Sequence, residues 1–172
     1  GRWWRGNGEH VSEFEQKYAE LMGAKRCLAT ASGTSALLVA LHVLEVDAGD
    51  EVIVSPYTFI ATYNSILINK ALPVFVDTNP NTFLIDPSKI EAKITDRTTA
   101  ILPVHIYGLP ADMDEINKIA QKHNLKVVED LKTAYIKLTQ NDLNEFNFQK
   151  GDTEGVVNYA LSLEGVIFAA IF

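Results

Sequence analysis

Residues 99–130, which read TAILPVHIYGLPADMDEINKIAQKHNLKVVED, carry the clearest structural pattern in the chain. It begins and ends with short apolar runs, residues 99–104 and 126–130, whose length and composition are typical of buried strands. The intervening segment, Met113–His123, is predicted to be a helix. A strand, a helix and a second strand in this order form a crossover unit, in which the two strands lie parallel in one sheet.

The same alternation extends toward the amino end of the chain. Further strands are predicted over residues 25–30, 51–55 and 73–77. Further helices are predicted over residues 36–46, 60–70 and 87–94. Repeated units of this kind predict an α/β protein in three layers, with a mainly parallel sheet covered by helices on both faces.

An additional helix is predicted near the amino terminus. Apolar side chains at positions i, i+4, i+7 and i+8 from Phe14 share one helical face. The spacing Ser12-x-x-Glu15 is that of a capping box, which predicts that this helix begins there, and Gly23 predicts its end.

The alternation weakens after Asp130. Residues 1–130 are expected to form one α/β unit and residues 131–172 a divergent tail, with a soft boundary near 131–150 and a helix predicted over 154–163. The chain begins at Gly1, and its last eight residues form an apolar run that resembles a buried strand. We therefore expect these 172 residues to be a piece of a larger protein.

Composition and charge exclude several classes of protein. Apolar residues make up 47% and charged residues 22%, so the chain is globular rather than disordered or a coiled coil. A net charge of -7 without a basic run disfavours nucleic-acid and membrane-surface binding, and no apolar run approaches the ~20 residues of a membrane span. The single cysteine, Cys27, suits a reducing compartment such as the cytoplasm, and it shows no metal-ligand spacing with the four histidines.

Ser32-Gly33-Thr34-Ser35 lies between a predicted strand and a predicted helix. Backbone N–H groups at a helix N-terminus, together with small hydroxyl side chains, can hold a phosphate. Serine and threonine also favour this position simply as helix caps, so both interpretations stay open. The sequence has no P-loop pattern and no Gly-x-Gly-x-x-Gly after the first strand, which disfavours nucleotide-triphosphate and dinucleotide sites.

Four more candidates stand at predicted strand ends, where parallel α/β sheets bind their ligands. Asp130 could hydrogen-bond a protonated heterocycle, or it could be a helix cap or a surface acid. Phe59 could stack on a planar ligand or belong to the core. His105, close to Tyr107, could act as an acid or base or be a hydrogen-bonded structural residue.

Eight short motifs occur in order along the chain, each of them modest alone. They are Gly1-Arg2-Trp3-Trp4-Arg5, Ala31-Ser32-Gly33-Thr34-Ser35-Ala36-Leu37, Gly49-Asp50-Glu51-Val52-Ile53-Val54, Pro56-Tyr57-Thr58-Phe59-Ile60-Ala61-Thr62, Pro73-Val74-Phe75-Val76-Asp77, Leu102-Pro103-Val104-His105-Ile106-Tyr107-Gly108, Ala111-Asp112-Met113-Asp114 and Val128-Glu129-Asp130. Together they resemble the DegT/DnrJ/StrS family of pyridoxal-phosphate-dependent aminotransferases, which act on nucleotide-linked keto-sugars and cyclitols. The resemblance covers residues 1–130.

The resemblance implies an incomplete large domain of the aspartate-aminotransferase fold, fold type I, with pyridoxal 5'-phosphate (PLP) as cofactor. Ser32, Gly33 and Thr34 match the segment that holds the cofactor phosphate, Phe59 matches the aromatic that stacks on the pyridine ring, and Asp130 matches the carboxylate paired with the ring nitrogen. The candidates for substrate contact are Trp3, His105 and Tyr107. The Trp3-Trp4 arm also implies a homodimer interface.

The chain departs from the family pattern in three ways. Thr133 stands where the family usually has Gln or His beside the ring. The Schiff-base lysine, which lies in a later Ser-x-x-x-x-Lys segment followed by Gly-Glu-Gly-Gly, has no counterpart after Asp130, so no catalytic lysine is assigned. Family members are also roughly twice as long.

Residues 148–162 resemble a segment of DHH-type phosphoesterases, but the metal-binding Asp-His-His motif is absent.

The sequence thus favours the cofactor-binding portion of an enzyme that moves an amino group from glutamate or glutamine to a keto-sugar or cyclitol. Without the lysine, this chain alone is not expected to turn over. The alternative is a non-catalytic, truncated or chimeric α/β protein that binds only a phosphate ligand or a partner subunit.

Overall fold

The computed structural model describes residues 8–131 in full and the backbone of residues 158–163 and 166–170. The helices are α1 (Glu9–Met22), α2 (Gly33–Val43), α3 (Ile60–Ile68) and α4 (Met113–His123). The strands are β1 (Arg26–Thr30), β2 (Glu51–Val54), β3 (Leu72–Phe75), β4 (Thr98–Leu102), β5 (Lys126–Val127), β6 (Glu129–Leu131), β7 (Asn158–Leu163) and β8 (Val166–Ala170). No helix in the described part of the chain is long and apolar enough to cross a bilayer.

The strands form two four-stranded sheets, in the orders β3-β2-β4-β5 and β1-β8-β7-β6. A pair of backbone hydrogen bonds joins the sheets, because the Asp130 amide donates to the Pro103 carbonyl and the His105 amide donates to the Asp130 carbonyl, both at 2.9 Å. β7 runs antiparallel to β6 and β8, and the other strand pairings in the described part of the chain are parallel. An isolated bridge between Thr78 and Ile85 is also antiparallel. The predicted α/β fold with a mainly parallel sheet is therefore confirmed.

The core lies on both faces of the central strands. Val52, Ile53 and Val54 of β2 are all fully buried. Because successive side chains of a strand point to opposite faces, this burial requires cover on both sides of the sheet. Leu37 and Leu41 of α2, one helical turn apart, belong to the same buried cluster.

The predicted start of α1 is wrong, whereas its predicted end is confirmed. The helix begins at Glu9 with Gly8 as its N-cap, so the predicted capping box at Ser12 is wrong. The carboxylate of Glu15 instead accepts a hydrogen bond of 2.8 Å from the Ala29 amide in β1. Gly23 ends the helix as predicted, in the left-handed conformation with φ of 67°.

Three other predicted elements differ from the structure. The predicted helix over residues 87–94 is two short 3-10 turns, Pro87–Lys89 and Glu91–Lys93. The predicted strand over 126–130 is divided at Val128 into β5 and β6. The predicted helix over 154–163 is wrong from Asn158 onward, where the backbone forms β7. Residues 132–157, 164–165 and 171–172 lie outside the described residues, and with them most of the segment that resembles DHH-type phosphoesterases.

Candidate active site

The carboxyl ends of β1, β2, β4 and β6 lie on the same side of the two joined sheets, here called the ligand edge. β2 is parallel to β4, and Val104, just beyond β4, pairs in parallel with Asp130 of β6. β1 is parallel to β8, and β8 and β6 both run antiparallel to β7, so β1 points the same way as β6. Ligands of open α/β sheets bind at this edge.

The segment of residues 32–35, here called the phosphate cradle, forms the junction of β1 and α2. Ser32 is the N-cap of α2, and its Oγ accepts a hydrogen bond of 3.0 Å from the Ser35 amide. The cap interpretation is therefore correct for Ser32. Gly33 and Thr34 are the first two residues of the helix, where amide groups have no intrahelical carbonyl to pair with. Those amides are the natural donors to an anion at this end of the helix.

Phe59 lies at the N-cap position of α3, directly after the loop that follows β2. Its side chain is 65% exposed, so the alternative that it belongs to the core is wrong. Exposing a phenyl ring to water forfeits the free energy that its burial would gain. An aromatic ring held open at the ligand edge of the sheet is suited to stacking on a planar molecule.

Asp130 lies inside β6 and is fully buried. Its Oδ2 accepts a hydrogen bond of 2.6 Å from the Thr62 hydroxyl, which in turn is 2.8 Å from the Thr58 hydroxyl. Neither the surface-acid nor the helix-cap alternative describes this position, because the residue is inaccessible and the strand continues to Leu131. A buried carboxylate is costly unless donors face it, and the Thr62 hydroxyl is one such donor to Asp130.

His105 is buried within the protein at 5% exposure. Its Nδ1 accepts a hydrogen bond of 2.9 Å from the Ala111 amide, and its Nε2 is 3.1 Å from the carboxylate of Glu129. Because Nδ1 is an acceptor, the ring carries its proton on Nε2 and donates it to Glu129. These contacts account for both ring nitrogens, so the geometry favours the structural alternative over substrate contact.

Tyr107 belongs to an aromatic cluster with Tyr57 and Phe83. Tyr107 is 75% exposed, and its hydroxyl lies 2.9 Å from that of Tyr57. The Tyr57 ring packs on Phe83 with 5.2 Å between centroids. The hydrogen bond with Tyr107 raises the pKa of Tyr57 above its usual range, since the phenol must give up a shared proton to ionise. The cluster therefore exposes aromatic surface and hydroxyl groups.

Tyr57 and Thr62 are site residues that sequence reasoning missed. Both belong to the Pro56–Thr62 motif, in which the sequence pattern points only to Phe59. The contact between Thr62 and Asp130 joins positions 68 residues apart, and no local spacing indicates it. The available signal was the polarity of Thr62 next to apolar residues of a predicted helix, since a buried hydroxyl requires a partner.

The donor set fits a planar heterocycle that carries a phosphate. Amides at the start of α2 suit the anion, the exposed ring of Phe59 suits the planar face, and the buried carboxylate of Asp130 suits a protonated ring nitrogen. Trp3 and Thr133, the other residues predicted near this site, lie outside the described residues.

Several solved structures of similar fold are aminotransferases. The structure of NtdA from Bacillus subtilis with bound cofactor PMP superimposes with a TM-score of 0.70 at 43% sequence identity, covering 71% of this chain and 28% of that chain. The fold is therefore that of the PLP aminotransferases, in agreement with the predicted fold type I architecture.

The sequence matches the model of the DegT/DnrJ/EryC1/StrS aminotransferase family over residues 1–141, and the chain belongs to this family. It is 48% identical over 128 residues to the dTDP-3-amino-3,6-dideoxy-alpha-D-galactopyranose transaminase of Aneurinibacillus thermoaerophilus, a match covering 74% of this chain and 35% of that protein. It is 40% identical over 140 residues to the L-glutamine:2-deoxy-scyllo-inosose aminotransferase of Streptomyces fradiae, covering 78% and 33%. The chain spans about a third of the length of these relatives.

Proposed function

We propose that this chain supplies the cofactor-binding portion of a PLP-dependent aminotransferase that moves an amino group from glutamate or glutamine to a keto-sugar or cyclitol. The observation that carries the proposal is the fully buried carboxylate of Asp130 at the ligand edge of the sheet. Sugar and cyclitol aminotransferases among the relatives support the substrate class, and the glutamine-dependent relative supports the donor.

Each residue of the site has a distinct part in the proposal. Ser32 fixes the start of α2, and the amides of Gly33 and Thr34 bind the cofactor phosphate. Phe59 stacks on the pyridine ring and Asp130 keeps its nitrogen protonated. PLP, when bound, supplies an electron sink for the carbanion that forms at the substrate carbon.

Exposed groups around this edge are proposed to contact the substrate. Tyr107, with Tyr57 beside it, is positioned to contact a sugar through hydroxyl groups and aromatic faces. Trp3 remains a candidate by resemblance, whereas His105 is retained only as a positioning group for the loop at Ala111. We also propose a homodimer, because exposed aromatic side chains cluster at the same edge. The single cysteine, Cys27, supports a cytoplasmic location.

Transamination requires a lysine that acts as nucleophile and proton carrier. Residues 131–172 contain no Ser-x-x-x-x-Lys segment with a following Gly-Glu-Gly-Gly run. The proposal for these 172 residues is therefore non-covalent PLP binding without turnover.

A titration of the chain with PLP and with pyridoxal, which lacks the phosphate, tests this proposal. Saturable binding of PLP at one site is expected, with pyridoxal at least about tenfold weaker because it loses charge-assisted hydrogen bonds to the phosphate cradle. Borohydride reduction followed by mass spectrometry should find no single, fully labelled lysine, with an unfolded sample as the control for random labelling. Equal binding of the two ligands, or one lysine labelled stoichiometrically, would contradict the proposal.

The second candidate is a non-catalytic protein that binds only a phosphate ligand. It is favoured by the absence of the lysine segment after Asp130. Glycerol phosphate distinguishes the two, because a bare phosphate site would bind it as well as PLP. Marked preference for PLP would require the ring-directed groups, Phe59 and Asp130.

A further inference from the structure

We infer that Thr62 is a positioning residue for Asp130: its hydroxyl, oriented by Thr58, fixes the carboxylate and ties it to the backbone that carries Phe59. The inference rests on the proposed PLP site and deepens it. It assigns a role to a pair of residues outside the predicted set.

The contact between Thr62 and Asp130 is short and shielded from water. The Thr62 Oγ1 lies 2.6 Å from Asp130 Oδ2, and both residues are fully buried. Hydrogen bonds from a hydroxyl to a carboxylate are typically 2.5–2.7 Å and are stronger than neutral pairs. In a buried environment such a bond restrains the rotation of the carboxylate.

The direction of the two hydrogen bonds follows from counting protons. A hydroxyl has one proton, and an ionised carboxylate only accepts. Thr62 therefore donates to Asp130 Oδ2 and must accept from Thr58, whose hydroxyl lies 2.8 Å away. The result is a directed chain from the loop after β2, through α3, to β6.

The backbone of Thr62 connects this chain to the stacking ring. The Thr62 amide donates to the Phe59 carbonyl at 3.0 Å, which closes the first turn of α3. The Thr62 carbonyl accepts a hydrogen bond of 2.6 Å from the Ser65 hydroxyl, so the residue is held on both sides within the helix. One residue thus sets the distance between the ring at the N-cap of α3 and the carboxylate in β6.

Exchange of the Thr62 hydroxyl for a methyl group isolates this role. Thr62→Val keeps the volume and removes the donor, whereas Thr62→Ser keeps the donor. The matched control is Thr98→Val, because Thr98 is also buried and its hydroxyl accepts from the Thr95 amide, but it lies at the opposite end of β4. All variants are titrated with PLP, and the absorbance of the bound cofactor is followed across pH.

Thr62→Val is expected to weaken PLP binding by about tenfold, the scale of one hydrogen bond to a charged group. Removing a group that hydrogen-bonds to a metal ligand has an effect of similar size in metal sites. It should also shift the pH at which the absorbance of bound PLP changes, since Asp130 no longer holds its orientation. Thr62→Ser should stay within about twofold of the parent protein, and Thr98→Val should match it. Melting without PLP reports any loss of folding separately.

Unchanged affinity and spectrum in Thr62→Val would overturn the positioning role while leaving the PLP site intact. Equal losses in Thr62→Val and Thr62→Ser would also overturn it, because the hydroxyl would not be the active feature. Failure of the parent chain to bind PLP would instead overturn the proposed function and this inference with it. If Thr62→Val does not fold, Thr58→Val decides: it should weaken binding roughly twofold to tenfold, and no change would refute the chain of hydroxyls.

Discussion

Asp130 and His105 are both polar and buried, but their hydrogen-bond partners differ. His105 is satisfied by an amide and a carboxylate of the protein, as expected of a structural residue. Asp130 faces a neutral hydroxyl through Oδ2 at the edge where ligands bind. His105 therefore belongs to an internal hydrogen-bond network, whereas Asp130 is linked through Thr62 to the segment that carries Phe59.

The hydroxyl pair of the aromatic cluster gives a titration prediction. In the parent protein the hydrogen bond between Tyr57 and Tyr107 holds the pKa of Tyr57 above its ordinary 10.0. Tyr107→Phe removes that bond and should lower the pKa of Tyr57 toward 10.0. Because the raised pKa favours the neutral phenol, the pair is intact at neutral pH and is lost as pH rises through the pKa of Tyr57.

Tyrosine ring resonances followed by NMR across alkaline pH would measure this shift. Tyr18 is the internal control, because burial raises its pKa to about 12 for a reason unrelated to Tyr107. An unchanged midpoint for Tyr57 in Tyr107→Phe would show that the hydroxyls do not interact in solution.

At the scale of elements, the end of α1 depends on a glycine. Gly23 has φ of 67°, and a methyl group placed there would meet no atom within 4 Å. Gly23→Ala should therefore destabilise folding by about 1–2 kcal/mol through backbone strain alone. Gly23→Asn, which tolerates the left-handed conformation, should cost less. Urea unfolding of both variants checks the order, and equal stability of Ala and the parent would contradict the strain argument.

The regular elements were predictable because their signals are local. The apolar run of β2 and the amphipathic pattern of α4 were found close to their observed bounds. The start of α1 was not, because Glu15 serves β1 through a bond to Ala29 rather than its own helix. Likewise, β7 forms by pairing with strands distant in sequence, so helical spacing in the same residues was misleading.

The site was predictable only in part, for the same reason. Residues at strand ends were found because a parallel sheet brings those ends to one edge. The link from Thr58 through Thr62 to Asp130 depends on tertiary packing between α3 and β6, which carries no short-range signature. Whether each polar side chain is buried or exposed likewise depends on the folded chain.

At the scale of the whole molecule, the sheet gathers the site from distant parts of the chain. β2, β4 and β6 bring Phe59, Tyr107 and Asp130 to neighbouring positions, while β1 leads to the phosphate cradle at the start of α2, a helix that packs against α3. The chain covers about a third of the length of its relatives, so the donor and sugar specificity proposed here belong to the complete protein.

The chain is expected to associate with further copies of itself. Phe59 and Tyr107 leave large aromatic areas exposed, and such patches mark interfaces. We expect light scattering at micromolar concentrations to report a dimer or larger species. A sharp monomer across that range would argue against the proposed homodimer.

The proposed site depends on a contact between Asp130 and the ring nitrogen of the cofactor, and Asp130→Asn removes that contact. Asparagine keeps an oxygen that accepts from Thr62, so the fold should be retained, but the charge-assisted bond to the ring is lost. Asp77→Asn is the matched control, because Asp77 is an exposed carboxylate just beyond β3 that contacts Lys89. PLP titration should show a loss of roughly 1.5–3 kcal/mol, about one to two decades of affinity, in Asp130→Asn alone. Equal PLP affinity in the parent protein and in Asp130→Asn would contradict the account.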